Sequence, residues 1–154
     1  MHRVIFIASS GGHLSEILKL ESIIKKYNYL LITDKNKVTT NLEKKFHMKY
    51  LLNTNRHHIF KYLIYIIINF IKSFYLFFKF KPDLIYTTGA YICVPLCLIA
   101  HLFKKKVIFV EVFDRINNPT LTGKILYHIA DSYLVQHKEM CTILPKSKFV
   151  GGIY

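Results

Sequence analysis

Apolar runs of strand length alternate with longer stretches of helical spacing along nearly the whole chain. Arg3–Ala8 reads as a buried strand, and His13–Lys26 as a helix that gathers Leu14, Ile17, Leu18, Leu20 and Ile24 near one face. Tyr29–Thr33 is a second predicted strand, Thr40–Phe46 a short helix and Lys49–Leu52 a third strand. A long helical stretch then runs to Pro82, which cannot continue it, and Asp83–Thr87 follows as a fourth strand. Gly89–Phe103 reads as an apolar helix that starts late or kinks at Pro95. Lys106–Val110 is a fifth strand, Thr120–Ala130 a helix and Ser132–Val135 a sixth strand. Strands alternating with helices predict a parallel sheet covered on both faces. The expectation is an α/β fold, a single Rossmann-like, doubly wound domain over residues 1–154.

The stretch from Ile59 to Phe80 stands apart. It is about long enough to span a bilayer, yet three lysines and an asparagine interrupt it. At about 100° per residue, Lys61, Lys72 and Lys79 fall within roughly 20° of one another, with Asn69 and Ser73 placed beside them. The expected result is one polar stripe, with residues such as Ile64, Ile68, Phe70, Phe74 and Phe77 filling the other directions. A spanning helix would bury the ammoniums at about 2.5–3.5 kcal/mol each near the centre. In the interface they sit among lipid phosphates, where each gains on the order of 1 kcal/mol. The balance favours a helix lying on an anionic membrane over a spanning helix or a core helix with a thin wet edge.

Composition adds three constraints. A length of 154 residues suits one domain, and 52% hydrophobic with 15% aromatic residues excludes disorder. The 22 Lys+Arg against 9 Asp+Glu give a net +13, which suits an anionic membrane, a phosphorylated substrate or nucleic acid. The competing explanation is an AT-rich genome, which raises Lys, Ile, Asn, Tyr and Phe together. The lysines are dispersed and no recognisable nucleic-acid module appears, so nucleic acid is not an expected partner. Cys93, Cys97 and Cys141 form no CxxC pair and no metal-ligand spacing, so they read as small buried hydrophobes in a reducing compartment. No metal and no cofactor is expected. The opening MHRVIFIASSGG has too short an apolar run for a signal peptide, which points to the cytosol or its membrane face.

Candidate chemistry concentrates after the predicted strands, where parallel sheets bind ligands. Ser9-Ser10-Gly11-Gly12 ends the first strand. Its glycines permit a tight turn and close approach, and the free N–H groups opening the next helix favour an anion. The loop is neither GxGxxG nor a Walker motif. Asp34, 22 residues after Gly12, has the spacing of a ribose-binding acid, a spacing that also recurs by accident in any βαβ unit. His13 stands at the helix start, where the dipole disfavours the protonated ring and leaves an imidazole able to accept a proton. Thr87, Thr88 and Gly89 follow the fourth strand and Glu111 the fifth. Asp114 and Arg115 either position Glu111 or pair at the surface. Asn53–Arg56 with His57-His58 form a loop that is either at the active edge or a solvated turn.

Read together, SSGGH, TTGA, and VIFVE followed by LTGKILYHIADSYLVQ resemble the first half of a glycosyltransferase with two Rossmann-like domains, the GT-B architecture. The resemblance is to the membrane-subunit family of split glycosyltransferases. That family includes the anchor subunit of the eukaryotic enzyme that adds the second N-acetylglucosamine to dolichol diphosphate. It also includes bacterial PssD- and CpsF-type capsule and exopolysaccharide proteins. The resemblance runs from about Arg3 to Gly152. It implies that this half binds the membrane and a polyprenyl-diphosphate-linked sugar acceptor, while a partner subunit supplies most of the nucleotide-sugar pocket. It places Ser9, Ser10, Gly11, Gly12, Thr88 and Gly89 at the acceptor and makes His13 or Glu111 the catalytic base, without choosing between them. The eukaryotic subunit carries an N-terminal membrane helix that this sequence does not show, so anchoring is expected of residues 59–80 on the cytoplasmic face. Three other functions share part of the pattern: a non-catalytic membrane scaffold, a small Rossmann-type dehydrogenase, and a nucleic-acid binder.

Overall fold

The computed structural model describes residues 2–52 and 59–153, so the Asn53–Arg56 and His57-His58 segment lies outside the described residues, as does the side chain of Lys61. Seven parallel strands form one sheet: β1 (Arg3–Ala8), β2 (Asn28–Asp34), β3 (Met48–Leu51), β4 (Leu84–Gly89), β5 (Lys106–Val110), β6 (Ser132–Val135) and β7 (Lys148–Phe149). Their order is β3-β2-β1-β4-β5-β6-β7. The winding reverses between β1 and β4, which opens a crevice at their carboxyl ends. A register shift at Ile7 and Ala8, where Ala8 pairs with Gly89, lies at that edge.

Side chains alternate across the sheet with the period of two that strands impose. Ile5, Ile7, Ile32, Ile85, Val107 and Phe109 enter one core layer under α4 (Ile59–Phe80) and α5 (Val94–Leu102). Val4, Phe6 and Leu31 enter the other, under α1 (Gly12–Lys19) and α2 (Glu21–Ile24). On this second face the cover ends early. Leu84, Ile108 and Leu134 are only half-buried and line an apolar depression of about 270 Å³ with Leu20 and Ile153. A parallel sheet ordinarily has both faces covered.

The helices depart from expectation at their ends. The predicted helix His13–Lys26 is two helices divided at Leu20. The helix expected at Thr40–Phe46 begins earlier, as α3 (Lys37–Asn41), because Asn36 caps it: its side chain accepts from Val38 and Thr39 N–H, and Thr39 answers on the Asn36 N–H. The helix expected at Gly89–Phe103 opens with a 3-10 turn over Tyr91–Cys93, which leaves Pro95 in the first turn of α5, where its missing N–H costs nothing. The helix α6 (Leu121–Leu126) is shorter than the predicted Thr120–Ala130. The helix α7 (Glu139–Ile143) and the two-residue β7 gave no periodic signal at all.

The expected polar stripe on α4 is corrected. Asn69 and Ser73 are buried on its inner face, about 70–110° round from the lysines. Asn69 accepts from the Leu52 N–H and donates to the Leu52 carbonyl, both at 2.8 Å, which satisfies the backbone just beyond β3. Phe77, expected to meet membrane, is also buried, edge-on to Phe78 and tilted against Phe103. What faces outward is apolar. Phe60, Leu63, Ile64, Ile67, Phe70, Ile71, Phe74, Tyr75 and Phe78 are exposed and share an arc of about 140°. Ile68 is half-buried, and exposed Lys72 and Lys79 border the arc. Over Tyr62–Phe80 only 22% is buried, and the helix is long and apolar enough to cross a membrane. Exposed Leu102 and Phe103 extend this surface, and Lys104 follows directly.

Candidate functional site

The crevice between β1 and β4 holds His13. Its Nδ1–H donates to the Thr88 carbonyl at 2.8 Å, and the Thr88 hydroxyl donates back to the His13 carbonyl at 2.8 Å. A carbonyl oxygen only accepts, so this bond fixes the tautomer and leaves Nε2 with its lone pair. Gly89, at φ +110°, lets β4 close onto the ring: a Cβ there would stand 3.4 Å from His13 Cε1 and 3.3 Å from the Phe109 ring. Thr88 is buried and braces the imidazole from behind.

The Ser9–Gly12 loop is held by Asp34. Its carboxylate accepts from the Ser10 N–H and the Ser10 hydroxyl, each at 2.6 Å. Both oxygens of the acid considered for a ribose are therefore engaged with the loop, which removes the feature that favoured a dinucleotide. Gly11, at φ +99°, takes a backbone conformation that favours glycine. Ser9 is buried and its carbonyl accepts from the Leu14 N–H. Among the described residues the N–H groups of Gly12 and His13 are unengaged, as expected for the first turn of a helix. The space above Gly11 and Gly12 is open.

Glu111 sits elsewhere than expected. It is 1% exposed and does not line the His13 crevice. Its carboxylate accepts from the Tyr133 hydroxyl (2.7 Å), the Thr120 hydroxyl (3.0 Å) and the Thr120 N–H (3.2 Å). Burial and the adjacent carboxylate push the Tyr133 phenol up, so it stays protonated and donates. Thr120 in turn caps α6 through the Gly123 N–H. Glu111 thus pins the start of α6, and Gly123 has no room for a side chain against it. Glu111→Ala is expected to cost about 1–3 kcal/mol for each buried donor left unpaired, with Glu111→Gln losing less because its amide oxygen still accepts. Denaturant melts of the two proteins test this; equal losses would count against the hydrogen bonds as the cause.

His13, Ala90, Tyr91, Arg115, Thr120 and Lys124 line a crevice of about 450 Å³. Arg115 and Lys124 supply two cations that the motif reading did not assign to it. The rule that points to strand ends would have reached Arg115, on the segment linking β5 to α6, and Lys124 follows it within α6. Arg115 Nε is 3.8 Å from Asp114 at the exposed surface, a pair worth little. Phe113 N–H donates to Glu16 at 2.9 Å, tying the β5–α6 loop to α1. Burial raises the Glu16 pKa, although that hydrogen bond opposes the shift.

Ala90 has φ 74° and ψ 153°, a region almost confined to glycine, at the lip of this crevice. Ala90→Gly is expected to relieve strain by a net of about 1 kcal/mol after the added freedom of the unfolded chain. The melting temperature should rise by about 2–4 °C. A fall would mean that the Ala90 methyl packs more than the backbone strains.

The model of the family described as "Oligosaccharide biosynthesis protein Alg14 like" matches residues 4–153. The mouse UDP-N-acetylglucosamine transferase subunit ALG14 is 30% identical over 98% of this chain and 82% of its own length. The human protein of the same name is 28% identical over 97% of this chain and 82% of its own. Acinetobacter baumannii MurG has the same fold, with a TM-score of 0.77 and 16% identity over 98% of this chain, which spans 45% of that one. A Rossmann-like sheet with its crevice at the β1/β4 switch, matched over nearly its full length, places the chain in the Alg14-like oligosaccharide biosynthesis family.

Proposed function

We infer that this chain is the acceptor-side subunit of a two-component glycosyltransferase at the cytoplasmic face of the membrane. One observation carries the reading. Outward-facing Phe70 of α4 lines one apolar groove with Tyr62 and Tyr91, and Tyr91 also lines the His13 crevice. The outward apolar face and the cation-bearing crevice therefore meet at one edge. A sugar carried on a membrane-held polyprenyl diphosphate presents these two chemistries together. Arg115, Lys124 and the Gly12 and His13 N–H groups suit its diphosphate.

In this reading His13 is the general base. Its Nε2 takes the proton of the acceptor hydroxyl as that oxygen bonds to the donor sugar's anomeric carbon. The anomeric carbon–phosphate oxygen bond breaks, and the nucleoside diphosphate leaves. Glu111 acts as a positioning residue through Thr120. Ser10, Thr88 and Gly89 shape the site, and Ser9, Gly11 and Gly12 form its floor.

The names of the relatives favour UDP-N-acetylglucosamine as donor. A capsule or exopolysaccharide product, which the bacterial side of the resemblance implies, finds no support in these relatives. The donor-binding partner docks, in this reading, on the half-covered sheet face at Leu84, Ile108 and Leu134. Ile108→Asp with Leu134→Asp should abolish co-purification of the partner and with it UDP-N-acetylglucosamine transfer to a polyprenyl-diphosphate sugar. Robust transfer by the purified chain without any partner would sink the two-component reading.

A further inference from the structure

We propose that an apolar groove between α4, α5 and α6 receives the diphosphate-proximal isoprene units of the lipid-linked acceptor, an inference that rests on the acceptor-side reading above. Tyr62, Phe70, Tyr91, Leu98, Leu121 and Ile125 are among the residues lining it, and none of the described lining residues is charged. It shares Tyr91, Leu121 and Thr122 with the crevice that holds His13, Arg115 and Lys124. At its other end Phe70 belongs to the exposed apolar arc of α4. A molecule lying across both cavities must be anionic at one end and apolar from the next atoms onward.

Volume sets how much of the chain is held. The groove measures about 210 Å³, below the roughly 300 Å³ at which pockets take a whole drug-sized ligand. It holds a short branched segment, and the rest of the polyprenyl continues along α4 into the bilayer. The groove is a half-open wall of aliphatic and aromatic side chains whose few hydroxyls are on tyrosines and a threonine. The Tyr91 hydroxyl is directed to the Leu52 carbonyl at 3.4 Å. Recognition here is by shape and apolar area alone. Each buried methylene-sized group is then worth about fourfold in affinity. The groove thereby fixes where along the lipid the chain leaves the protein, and holds the reacting sugar at one depth beside His13.

The test uses the assembled, detergent-solubilised complex and diphosphate-linked sugar acceptors carrying one, two, three or four isoprene units. From one unit to two, kcat/KM should rise at least about 30-fold, then change by less than about threefold on further lengthening. Ile125→Trp fills the groove from an exposed position, and Leu98→Phe fills it from α5. Both should bring the two-unit to one-unit ratio close to one. A diphosphate bearing a photoreactive group on its second isoprene unit should label α5 or α6. Excess phosphatidylglycerol should not compete. Unchanged length profiles in both variants, labelling confined to the outer arc of α4, or competition by phosphatidylglycerol would each overturn the groove assignment. If no acceptor of any length is turned over, the acceptor-side reading falls first and the groove assignment falls with it.

Discussion

In the assembled complex, His13→Ala is expected to lower turnover by about 10²–10⁴-fold, the scale of a missing general base. The expectation rests on geometry. The Thr88 carbonyl holds Nδ1–H at 2.8 Å, so the opposite nitrogen carries the lone pair and the ring cannot rotate without losing that bond. His13→Gln serves as control, because its amide can donate to Thr88 but has no nitrogen lone pair with which to take a proton. It should be as slow as the alanine variant. Thr88→Val removes only the hydroxyl that donates to the His13 carbonyl. It should lower kcat by about tenfold or less, on the scale of one neutral hydrogen bond at about 0.5–1.5 kcal/mol. Membrane binding and partner association should survive all three changes, since His13 lies on neither the α4 arc nor the half-covered sheet face. Near-normal turnover in both His13 variants would assign the proton transfer to the partner and leave this chain as a scaffold.

Much of this arrangement was legible in the sequence because strands of a parallel sheet announce themselves as apolar runs, and ligands gather at their carboxyl ends. That rule puts SSGGH and TTGA at the carboxyl ends of β1 and β4, from which His13 and Ala90 reach the crevice. Glu111 does not reach it, because a position after a strand fixes the edge of the sheet but not the direction of the side chain. The residue turns inward to cap-forming Thr120 and to Tyr133, partners far along the chain whose role no local spacing encodes. The same limit applies to α4. A helical wheel separates polar from apolar positions, yet it does not say which arc the rest of the fold will cover. Asn69 lay near the lysines on the wheel, and a backbone end beyond β3 claimed it. The short α7 and β7 carried too few residues to establish any period.

Replacing Ile64, Ile67 and Ile71 together by Asn should release the protein from lipid vesicles. The three are 54%, 61% and 65% exposed, so their apolar area is largely unused by the fold. Full burial of such a side chain is worth about 1.5–3 kcal/mol. Seating the remaining area of three in a bilayer contributes on the order of 3–5 kcal/mol, and its loss should cut vesicle partitioning by about 10²–10⁴-fold. Melting in detergent-free solution should shift little, because exposed positions ordinarily contribute within about 0.5 kcal/mol. The lysines act differently. Lys72→Glu with Lys79→Glu removes about 1 kcal/mol per cation at an anionic surface, so it should weaken binding to anionic vesicles and leave neutral ones unaffected. Added salt should mimic that change only, since apolar burial is not screened. Orientation is tested by cysteines placed at Lys61 and Lys79, about 27 Å apart along α4. Both should react with a membrane-impermeant thiol reagent from the same side, because the buried arc through Asn69, Ser73, Leu76 and Phe77 keeps the helix packed along the domain. Reaction from opposite sides would make α4 a spanning helix, and a triple-Asn protein that stays on vesicles would move the membrane contact elsewhere.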